Sequence, residues 1–295
     1  MTWIFSGLIL FFLVVVYCYR VSTKTKCLKK APACVMPIQQ QVIRSLSVII
    51  PFHDRPQALL HCVSSLCAQQ FPHQLLQIII VNDGSEEFPD EALKEITSLY
   101  SEISFMCTHN KGNGKKQAIL TGLENATGEV MVLTDADCIY PPHWLSFMEA
   151  GFANPEIHLL GGPVEKTGEG FVAELDKADY AGMMLWGMAS LLQKRPVLVS
   201  SCNLAVRRES FQKTKPFANN MSIAGGDDIF LMQAIERQFG AESIGVMFTE
   251  QAKVYTEACN SWAAYMRSRI RWGGKTRFYL QSRTAALASF ILALH

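Results

Sequence analysis

The sharpest chemical signal in the sequence is a pair of aspartates separated by one residue. Asp135 ends the apolar run EVMVLTD (129–135), and Asp137 follows two residues later. Two carboxylates at a strand end can converge on one hard divalent cation, and Mg²⁺ and Mn²⁺ prefer oxygen ligands and bridge readily to phosphates. A solvated turn, with an aspartate that caps the segment starting at Pro141, is the alternative interpretation. The motif alone therefore indicates a metal–phosphate site without establishing one.

A second acid pair stands at the start of a predicted helix. Gly225 and Gly226 precede Asp227 and Asp228, which open the segment IFLMQAIERQF. An acid at a helix start is often only a cap that complements the helix dipole. Two glycines in front of it favour a ligand site, because glycine lets a ligand approach the backbone closely.

Two further segments have the composition of a nucleotide site. Asp83, in VNDGS, can accept hydrogen bonds from a ribose hydroxyl or a base N–H, or it can simply form an Asp-Gly turn. The glycines and lysines of NKGNGKKQA (110–118) suit a diphosphate or a base. This segment is not a P-loop, because Gln117 follows the two lysines where Ser or Thr is required. No GxGxxG follows the first strand, which argues against a dinucleotide-dependent oxidoreductase.

The last polar segment, RSRIRWGGK (267–275), is strongly basic, and no Asp or Glu occurs after Glu257. It fits a basic helix that lies on anionic lipid. It also fits an arginine and a tryptophan at the phosphate-leaving end of a catalytic site. Both interpretations stay open from the residues alone.

Alternating strands and helices must position these residues. Apolar runs at 47–51, 76–83, 103–108 and 129–135 predict four strands, and helical patterns at 56–70, 91–100 and 115–126 separate them. Runs without polar alternation are typical of parallel strands covered on both faces, and strands separated by helices predict a doubly wound sheet. Such sheets bind ligands at the carboxyl ends of their strands. Acids that converge there repel one another, so we expect a cation or ligand to hold them.

Composition excludes several classes of protein. The chain has 295 residues, 27 Lys+Arg against 26 Asp+Glu, and 49% hydrophobic residues. This length is enough for one large or two small domains with a well-buried core. A net charge of +1 argues against a nucleic-acid binder, which carries a basic excess. The apolar content excludes a disordered chain.

The N-terminus carries the strongest membrane signal. Residues 3–19 contain no charge and, as a helix, would span about 26 Å, enough for a bilayer core. A cleaved signal peptide fits less well, because no basic residue precedes the run and no small-x-small site follows it. The lysines and arginine at 20–30 place the rest of the chain in the cytoplasm by the positive-inside rule. Nine cysteines without CxxC spacing suit reduced cytosolic thiols.

The chain is therefore divided into four parts. Residues 1–20 are predicted to be a transmembrane anchor, 21–44 a linker, and 45–281 the catalytic domain. Residues 282–295 are apolar but too short to span a bilayer. For this last part an interfacial helix, a packed terminal helix and an incomplete span all stay open.

Seven motifs in order resemble the inverting family 2 glycosyltransferases of the GT-A fold. They are SVIIPFHDRP, VNDGS, NKGNGKKQA, LTDADC, CNLAVRR, GGDD and RIRW, between Leu46 and Lys275. The resemblance implies an α/β fold of the GT-A type, a doubly wound, mostly parallel sheet with a Rossmann-like nucleotide-binding half and an acceptor half. The chain departs from the family at Asp227, where Glu is usual, and at Ser268, where the QxxRW signature has Gln. The second departure argues against a processive polysaccharide synthase.

The resemblance also implies roles for individual residues. Asp137 would bind Mg²⁺ or Mn²⁺, and Asp228 would be the catalytic base, with Asp227 in reserve. The donor nucleotide would be bound by Pro51, His53, Asp83, Lys111, Gly112, Lys116 and Asp135. The diphosphate and acceptor would be bordered by Asn203, Arg271 and Trp272.

The function implied is sugar transfer from a UDP- or GDP-sugar to a hydroxyl of a glycan or lipid-linked glycan, with inversion, at a membrane. Two alternatives stay open. A polyprenyl-phosphate sugar transferase would have the same fold and a lipid-phosphate acceptor, which needs no strong base. A membrane-tethered nucleotide-sugar binder would be non-catalytic, although it would not need the acids at 135, 137 and 228.

Overall fold

The computed structural model describes residues 43–274 together with 278, 279 and 284. The predicted anchor, almost all of the predicted linker and most of the C-terminal apolar segment lie outside this part of the chain. Within it, no helix combines the length and apolar character needed to cross a bilayer.

The first half of the fold follows the predicted alternation of strands and helices. Its elements are β1 (Leu46–Phe52), α1 (Pro56–Cys67), β2 (Leu76–Asn82), α2 (Asp90–Ser98), β3 (Ser104–His109), α3 (Lys115–Asn125) and β4 (Val130–Leu133). Helix α1 begins at a proline, whose fixed φ suits the first helical position. It ends at Cys67, three residues earlier than the pattern predicts.

The second half is less regular. It contains α4 (Trp144–Ala150), β5 (Leu159–Gly161), β6 (Val164–Thr167), the long α5 (Phe171–Leu192), β7 (Leu204–Arg207), α6 (Arg208–Thr214), α7 (Asp227–Phe239), β8 (Ile244–Val246), β9 (Val254–Glu257) and α8 (Trp262–Gly273). Helix α7 begins at the acid pair, as predicted.

Seven strands form one mixed sheet in the order β3-β2-β1-β4-β7-β5-β8. The pairs β1–β2, β1–β4, β2–β3 and β5–β8 are parallel, whereas β7 is antiparallel to both of its neighbours. The prediction of a mostly parallel sheet is therefore confirmed. Strands β6 and β9 form a separate parallel pair.

Apolar side chains cover both faces of the central strands. Along β1, Val48 and Ile50 pack into one core cluster and Ile49 into the other. The expectation of two covered faces is wrong for β3, which lies at the edge of the sheet and has Met106 exposed. Its sequence is apolar, but among the described residues only one strand, β2, pairs with it.

The register of the sheet fixes where the site can form. Phe52 at the end of β1 pairs with Asn82 at the end of β2, and Leu133 at the end of β4 pairs with Ile49. The residues that follow these three strands therefore emerge at one edge, which is the carboxyl edge where ligands bind in such sheets.

Candidate active site

A cavity of about 980 Å³ opens at this edge, between the end of β4, the start of α7, helix α5 and helix α8. Five acids line it: Asp135, Asp137, Asp227, Asp228 and Glu257. A smaller cavity of about 260 Å³ adjoins it above the ends of β1 and β2. The two cavities share Arg55, Lys115, Asp135, Asp137 and Arg271 among their lining residues.

Lys115, the first residue of α3, connects the two acid pairs. Its Nζ lies 2.5 Å from Oδ1 of Asp135 and 3.2 Å from Oδ2 of Asp227, and it donates to Oγ of Ser201 at 2.8 Å. Burial alone would lower the pKa of Lys115, but the carboxylates of Asp135 and Asp227 outweigh it and hold that pKa well above its usual value. This ammonium group therefore remains charged and offsets part of the repulsion between the acids.

The two acids of the DxD motif have opposite electrostatic environments. Burial would raise the pKa of Asp135, but Lys115 and a hydrogen bond from the Cys202 thiol lower it below the usual value, and Arg271 contributes in the same direction. Burial raises the pKa of Asp137, the charge of Asp135 adds to it, and Arg55 opposes both. The cations near Asp135 therefore outweigh the effect of its burial, whereas the positive charge near Asp137 does not outweigh its burial and the charge of Asp135.

Arg55 is the cation nearest to Asp137. Its Nη1 lies 3.1 Å from Oδ2 of Asp137, and its Nη2 contacts the carboxylate of Glu257 at the end of β9. Arg55 has φ +63° and Asp54 has φ +60°, so the loop after β1 adopts a left-handed conformation that is uncommon outside glycine. The arginine thereby joins the loop after β1 to Asp137 and to the second half of the fold.

The residues at Asp137 fit a divalent cation only together with oxygens of a ligand. No three His, Cys, Asp or Glu side chains are grouped tightly enough to hold a metal ion in the described part of the chain. The carboxylate of Asp137 lines the cavity and has a raised pKa. It would supply one oxygen ligand to a cation that takes its remaining oxygens from phosphates and water.

The two acids at the start of α7 differ in burial. Gly226 precedes the helix with φ +73°, a conformation that glycine adopts without strain. Asp227 is buried against Lys115, and its Oδ2 makes no hydrogen bond to any described residue. Asp228 is half-buried and lines the larger cavity. Asp228 is therefore the better placed of the two to receive a proton from a molecule in the cavity.

Arg271 and Trp272 reach the cavity from α8. Arg271 lines both cavities, and the ring of Trp272 lies 5.8 Å from that of Tyr180 on α5. Beneath them, Asp176 on α5 accepts hydrogen bonds from Lys166 and Arg269, each at 2.6 Å. This ion cluster holds α8 against α5 and so positions Arg271 and Trp272.

Asp83 organises the wall of the smaller cavity. Its Oδ1 accepts hydrogen bonds from Nδ2 of Asn110 at 2.5 Å and from the backbone of Gly114 at 2.9 Å. Its carbonyl oxygen lies 2.8 Å from Nδ1 of His53. Pro51 within β1, and His53 and Asp83 directly after β1 and β2, line the smaller cavity together.

Three residues expected at the nucleotide line neither cavity. Nζ of Lys116 donates to the carbonyl oxygens of Asn220 and Ile223, both at 2.7 Å, and is buried. Nζ of Lys111 lies 2.5 Å from Glu124 at the surface. Gly112 is exposed, and neither cavity is lined by it. Lys116 points away from the cavity because consecutive residues of α3 point about 100° apart, and Lys115 is the one that faces the cavity.

Asn203, which is expected to border the acceptor, also lines neither cavity. Its side chain is buried, donates to the carbonyls of Pro163 and Ala252, and accepts a hydrogen bond from the indole of Trp144. Its neighbours Ser201 and Cys202 line the cavity instead. The short 3₁₀ turn Ser201–Asn203 directs successive side chains to different sides.

Lys115 and Arg55 are the two site residues that the sequence did not single out. Both lie inside motifs that the sequence marks, NKGNGKKQA and PFHDRP. The charge of these two residues within the motifs could have marked them as candidates. Which of Lys115 and Lys116 faces the cavity depends on how α3 is rotated about its own axis.

Comparison with known proteins agrees with this architecture. Residues 47–214 match the family described as Glycosyl transferase family 2. Glycosyltransferase AglE of Haloferax volcanii is 27% identical over 184 residues, covering 62% of this chain and 58% of that protein. The probable glycosyltransferase YdaM of Bacillus subtilis is 23% identical over 237 residues, covering 77% and 54%. The chain thus spans little more than half the length of these curated relatives.

A solved structure extends the likeness in fold beyond the matched segment. The mannosyltransferase PcManGT from Pyrobaculum calidifontis, in complex with GDP-Man and Mn²⁺, superposes with a TM-score of 0.69 at 17% identity. The superposition covers 96% of this chain and 77% of that one. The fold is therefore a mixed α/β sheet of the GT-A type. Since the family match spans more than half of its residues, the chain belongs to glycosyltransferase family 2.

Proposed function

We propose that this protein transfers a sugar from a nucleotide-sugar donor to a hydroxyl group of an acceptor, with inversion at the anomeric carbon. One observation carries the proposal: a half-buried acid, Asp228, lines the same cavity as the DxD acids, Lys115 and Arg271. These are the groups needed to accept a proton and to stabilise a leaving phosphate.

The donor nucleotide would occupy the smaller cavity, with Asp83 and His53 at its wall. A carboxylate that already accepts two hydrogen bonds from the loop after β3 can still accept another from a ribose hydroxyl or a base, because it has about four lone-pair positions. The diphosphate would then extend towards Asp135 and Asp137, where the two cavities meet.

Cleavage of the glycosyl–phosphate bond leaves an additional negative charge on the diphosphate. Lys115, Arg55 and Arg271 line both cavities beside the DxD motif. Their attraction for the leaving group is stronger in a partly desolvated cavity than in water. The proposal includes Mg²⁺ or Mn²⁺ held by Asp137, which would neutralise diphosphate charge as a Lewis acid.

Asp228 would serve as the general base. A sugar hydroxyl is a weak nucleophile at neutral pH, so its proton must be accepted as the new C–O bond forms. That proton would pass to the carboxylate of Asp228 while the glycosyl–phosphate bond breaks on the opposite face, which gives inversion in a single displacement. Asp227 is engaged by Lys115 and is therefore the reserve candidate.

A second candidate function is transfer to a lipid phosphate. One observation favours it: the wall between α5 and residues 197–199 carries the apolar side chains of Met183, Met184 and Leu198. An acceptor with a hydrocarbon portion would bury apolar surface there. Identification of the product separates the two functions, because a lipid-linked sugar monophosphate would favour the second.

Membrane attachment through residues 3–19 belongs to the proposal as well. Its support is the uncharged apolar sequence and the basic residues that follow it, which together favour a cytoplasmic catalytic domain. Protease protection in sealed membrane vesicles tests this topology. In vesicles whose cytoplasmic face points outward, added protease should cleave the catalytic domain. Cleavage only after detergent opens the vesicles would contradict the topology.

The central test is a donor panel combined with one substitution. UDP- and GDP-sugars are screened with Mn²⁺ by thermal shift, since a ligand that binds the folded state raises its melting temperature. With the donor that binds, Asp228→Asn should lower turnover by about 10²–10⁴-fold and leave the donor-induced shift intact. Lys111→Ala is the matched control, because its side chain pairs with Glu124 at the surface. Unchanged turnover in Asp228→Asn would remove the assignment of the base.

A further inference from the structure

Helix α8 presents an apolar stripe to solvent. Trp262, Met266 and Ile270 follow one another at intervals of four residues and are 53%, 51% and 69% exposed, whereas Tyr265 and Arg269 on the other face are buried. Phe171, at the start of α5, is 76% exposed, and its ring lies 6.1 Å from that of Trp262. These four residues are called the α8 stripe below.

The α8 stripe is more than scattered surface hydrophobicity. It contains four of the ten large apolar side chains that are exposed among the described residues. Contiguous exposed apolar patches on soluble domains mark interaction surfaces, whereas single exposed apolar side chains need no explanation. The stripe therefore points to a surface that is covered in the working protein.

Charge indicates what covers it. Arg267 and Arg271 directly follow Met266 and Ile270 on the helix and are exposed beside the stripe. From 258 to the last residue, the sequence has six Lys and Arg and no Asp or Glu. An amphipathic helix with a tryptophan on its apolar face and arginines beside it has the composition of helices that lie in the interface of an anionic bilayer. A second copy of the same face would instead oppose arginine to arginine.

We infer that the α8 stripe lies on an anionic lipid surface and orients the catalytic domain on the membrane. The side of the same helix turned away from the stripe lines the larger cavity through Ala264, Arg267, Ser268 and Arg271. A bilayer in contact with the stripe therefore lies about 10 Å, one helix diameter, from this wall of the cavity, and an acceptor held in the membrane has only that distance to cover. This consequence for the acceptor rests on the proposed function, whereas the lipid contact does not.

The test uses hydroxyl-radical oxidation of methionines, read by mass spectrometry, on the full chain in nanodiscs that contain phosphatidylglycerol. Met106 and Met221 are internal controls, since they are 37% and 39% exposed and lie on β3 and in the loop before α7. Without lipid contact, Met266 should oxidise fastest of the three because its side chain is the most exposed. Lipid contact should reverse that order and make Met266 several-fold slower than both controls.

Two further arms identify the partner. Replacing phosphatidylglycerol with phosphatidylcholine, or adding 1 M salt, should bring Met266 oxidation back towards the controls, because the arginines then lose their attraction to the surface. Trp262→Glu should do the same, and Leu99→Glu, at an exposed leucine after α2, should not. Fast oxidation of Met266 in anionic nanodiscs would overturn the inference. Protection that persists unchanged without anionic lipid would also overturn it, in favour of a protein contact. The readout does not depend on turnover, so failure here is distinguishable from failure of the proposed function.

Discussion

Two ion clusters face the larger cavity, and they differ in charge and in exposure. At the DxD end, one cation, Lys115, lies between two acids, Asp135 and Asp227. Under α8, one acid, Asp176, lies between two cations, Lys166 and Arg269. The first cluster has an excess of negative charge, whereas in the second a further acid, Asp179, lies 3.5 Å from Arg269 and brings acids and cations into balance.

The first cluster is open and the second is closed. The side chains of Lys115 and Asp135 keep 29% and 32% of their surface exposed, whereas that of Asp176 is fully buried. Asp176 also accepts a hydrogen bond from the backbone of Cys259, and the guanidinium of Arg269 lies 4.6 Å from the ring centres of Tyr265 and Trp272. Exposed charged side chains that are only partly neutralised can form new ion pairs with a bound ligand. Closed charge fixes two helices relative to each other.

The largest effect on folding is expected at the closed cluster. Asp176→Asn leaves Lys166 and Arg269 buried beside a neutral group, and removing one member of a buried ion pair costs about 3–5 kcal/mol of the free energy of unfolding. Urea denaturation measures this loss. Turnover per folded molecule should change only a few-fold, because Asp176 acts on the site through α8.

Asp176→Asn could instead leave the unfolding midpoint unchanged and reduce turnover by 100-fold or more. That result would show that this cluster takes part in the chemistry. It would remove the distinction between the two clusters.

The open cluster should affect catalysis more than folding. Lys115→Met removes a cation beside the leaving diphosphate and should lower kcat/KM by about 10²–10³-fold, the usual cost of one electrostatic stabiliser. Its unfolding free energy should fall by less than that of Asp176→Asn, because water reaches the acids that remain. Lys116→Met is the matched control: it should lower stability, since two partly buried carbonyl oxygens lose the ammonium group that donates to them, without changing the thermal shift caused by the nucleotide-sugar. Equal kcat/KM in the two lysine variants would contradict the assignment.

The smallest expected effect concerns the two acids of the DxD motif. The folded-state pKa of Asp137 is raised, so its ionised form opposes folding at neutral pH, and the stability that its protonated form contributes is lost as pH rises through that pKa. Without metal, Asp137→Asn should therefore raise Tm at pH 7 by about 2 °C. The difference should vanish as pH falls through the raised pKa, because wild-type Asp137 is then neutral too.

Asp135→Asn should change Tm in the other direction. The folded-state pKa of Asp135 is lowered, so its stabilising contribution is present above its unfolded pKa and is lost as pH falls through the folded value. Melting scans from pH 3 to pH 8 with EDTA, then with Mn²⁺, separate the two acids: Mn²⁺ with donor should raise Tm in wild type and fail to do so in Asp137→Asn. A lower Tm for Asp137→Asn at pH 7 in EDTA, or a full Mn²⁺ response, would contradict the role of this acid.

Much of the first half of the fold could be predicted, because each of its elements is determined by local pattern. The four strand segments are continuous apolar runs, and their ends agree with the structure to within about three residues. The position of β3 could not be predicted, because its apolar run is similar to those of the central strands and only the order of the sheet makes it an edge. The reversal of β7 between β4 and β5 has no local signal either.

The site was predictable as a set of motifs but not as a set of side chains. The sequence places Asp83, Asp135, Asp137 and the acid pair at strand and helix ends, and all of them line the two cavities. It does not distinguish Lys115 from Lys116, because a rotation of α3 by one residue would exchange their positions. Asn203 lies within a motif too, but its amide is occupied by core contacts that come from three distant segments.

Residue types and their periodicity along the chain are enough to predict the family, the alternation of strands and helices, and the edge of the sheet at which the acids meet. Which acid is neutralised depends on the folded chain: Lys115 and Arg55 approach Asp135 and Asp137 from 20 and 82 residues away, and only Lys115 outweighs the burial of its acid. The tertiary structure also decided that α8 turns its arginine and tryptophan to the cavity and its apolar stripe to solvent. Those outcomes depend on the distance and orientation of groups remote in sequence, and the strength of an electrostatic interaction is set by that separation and by burial.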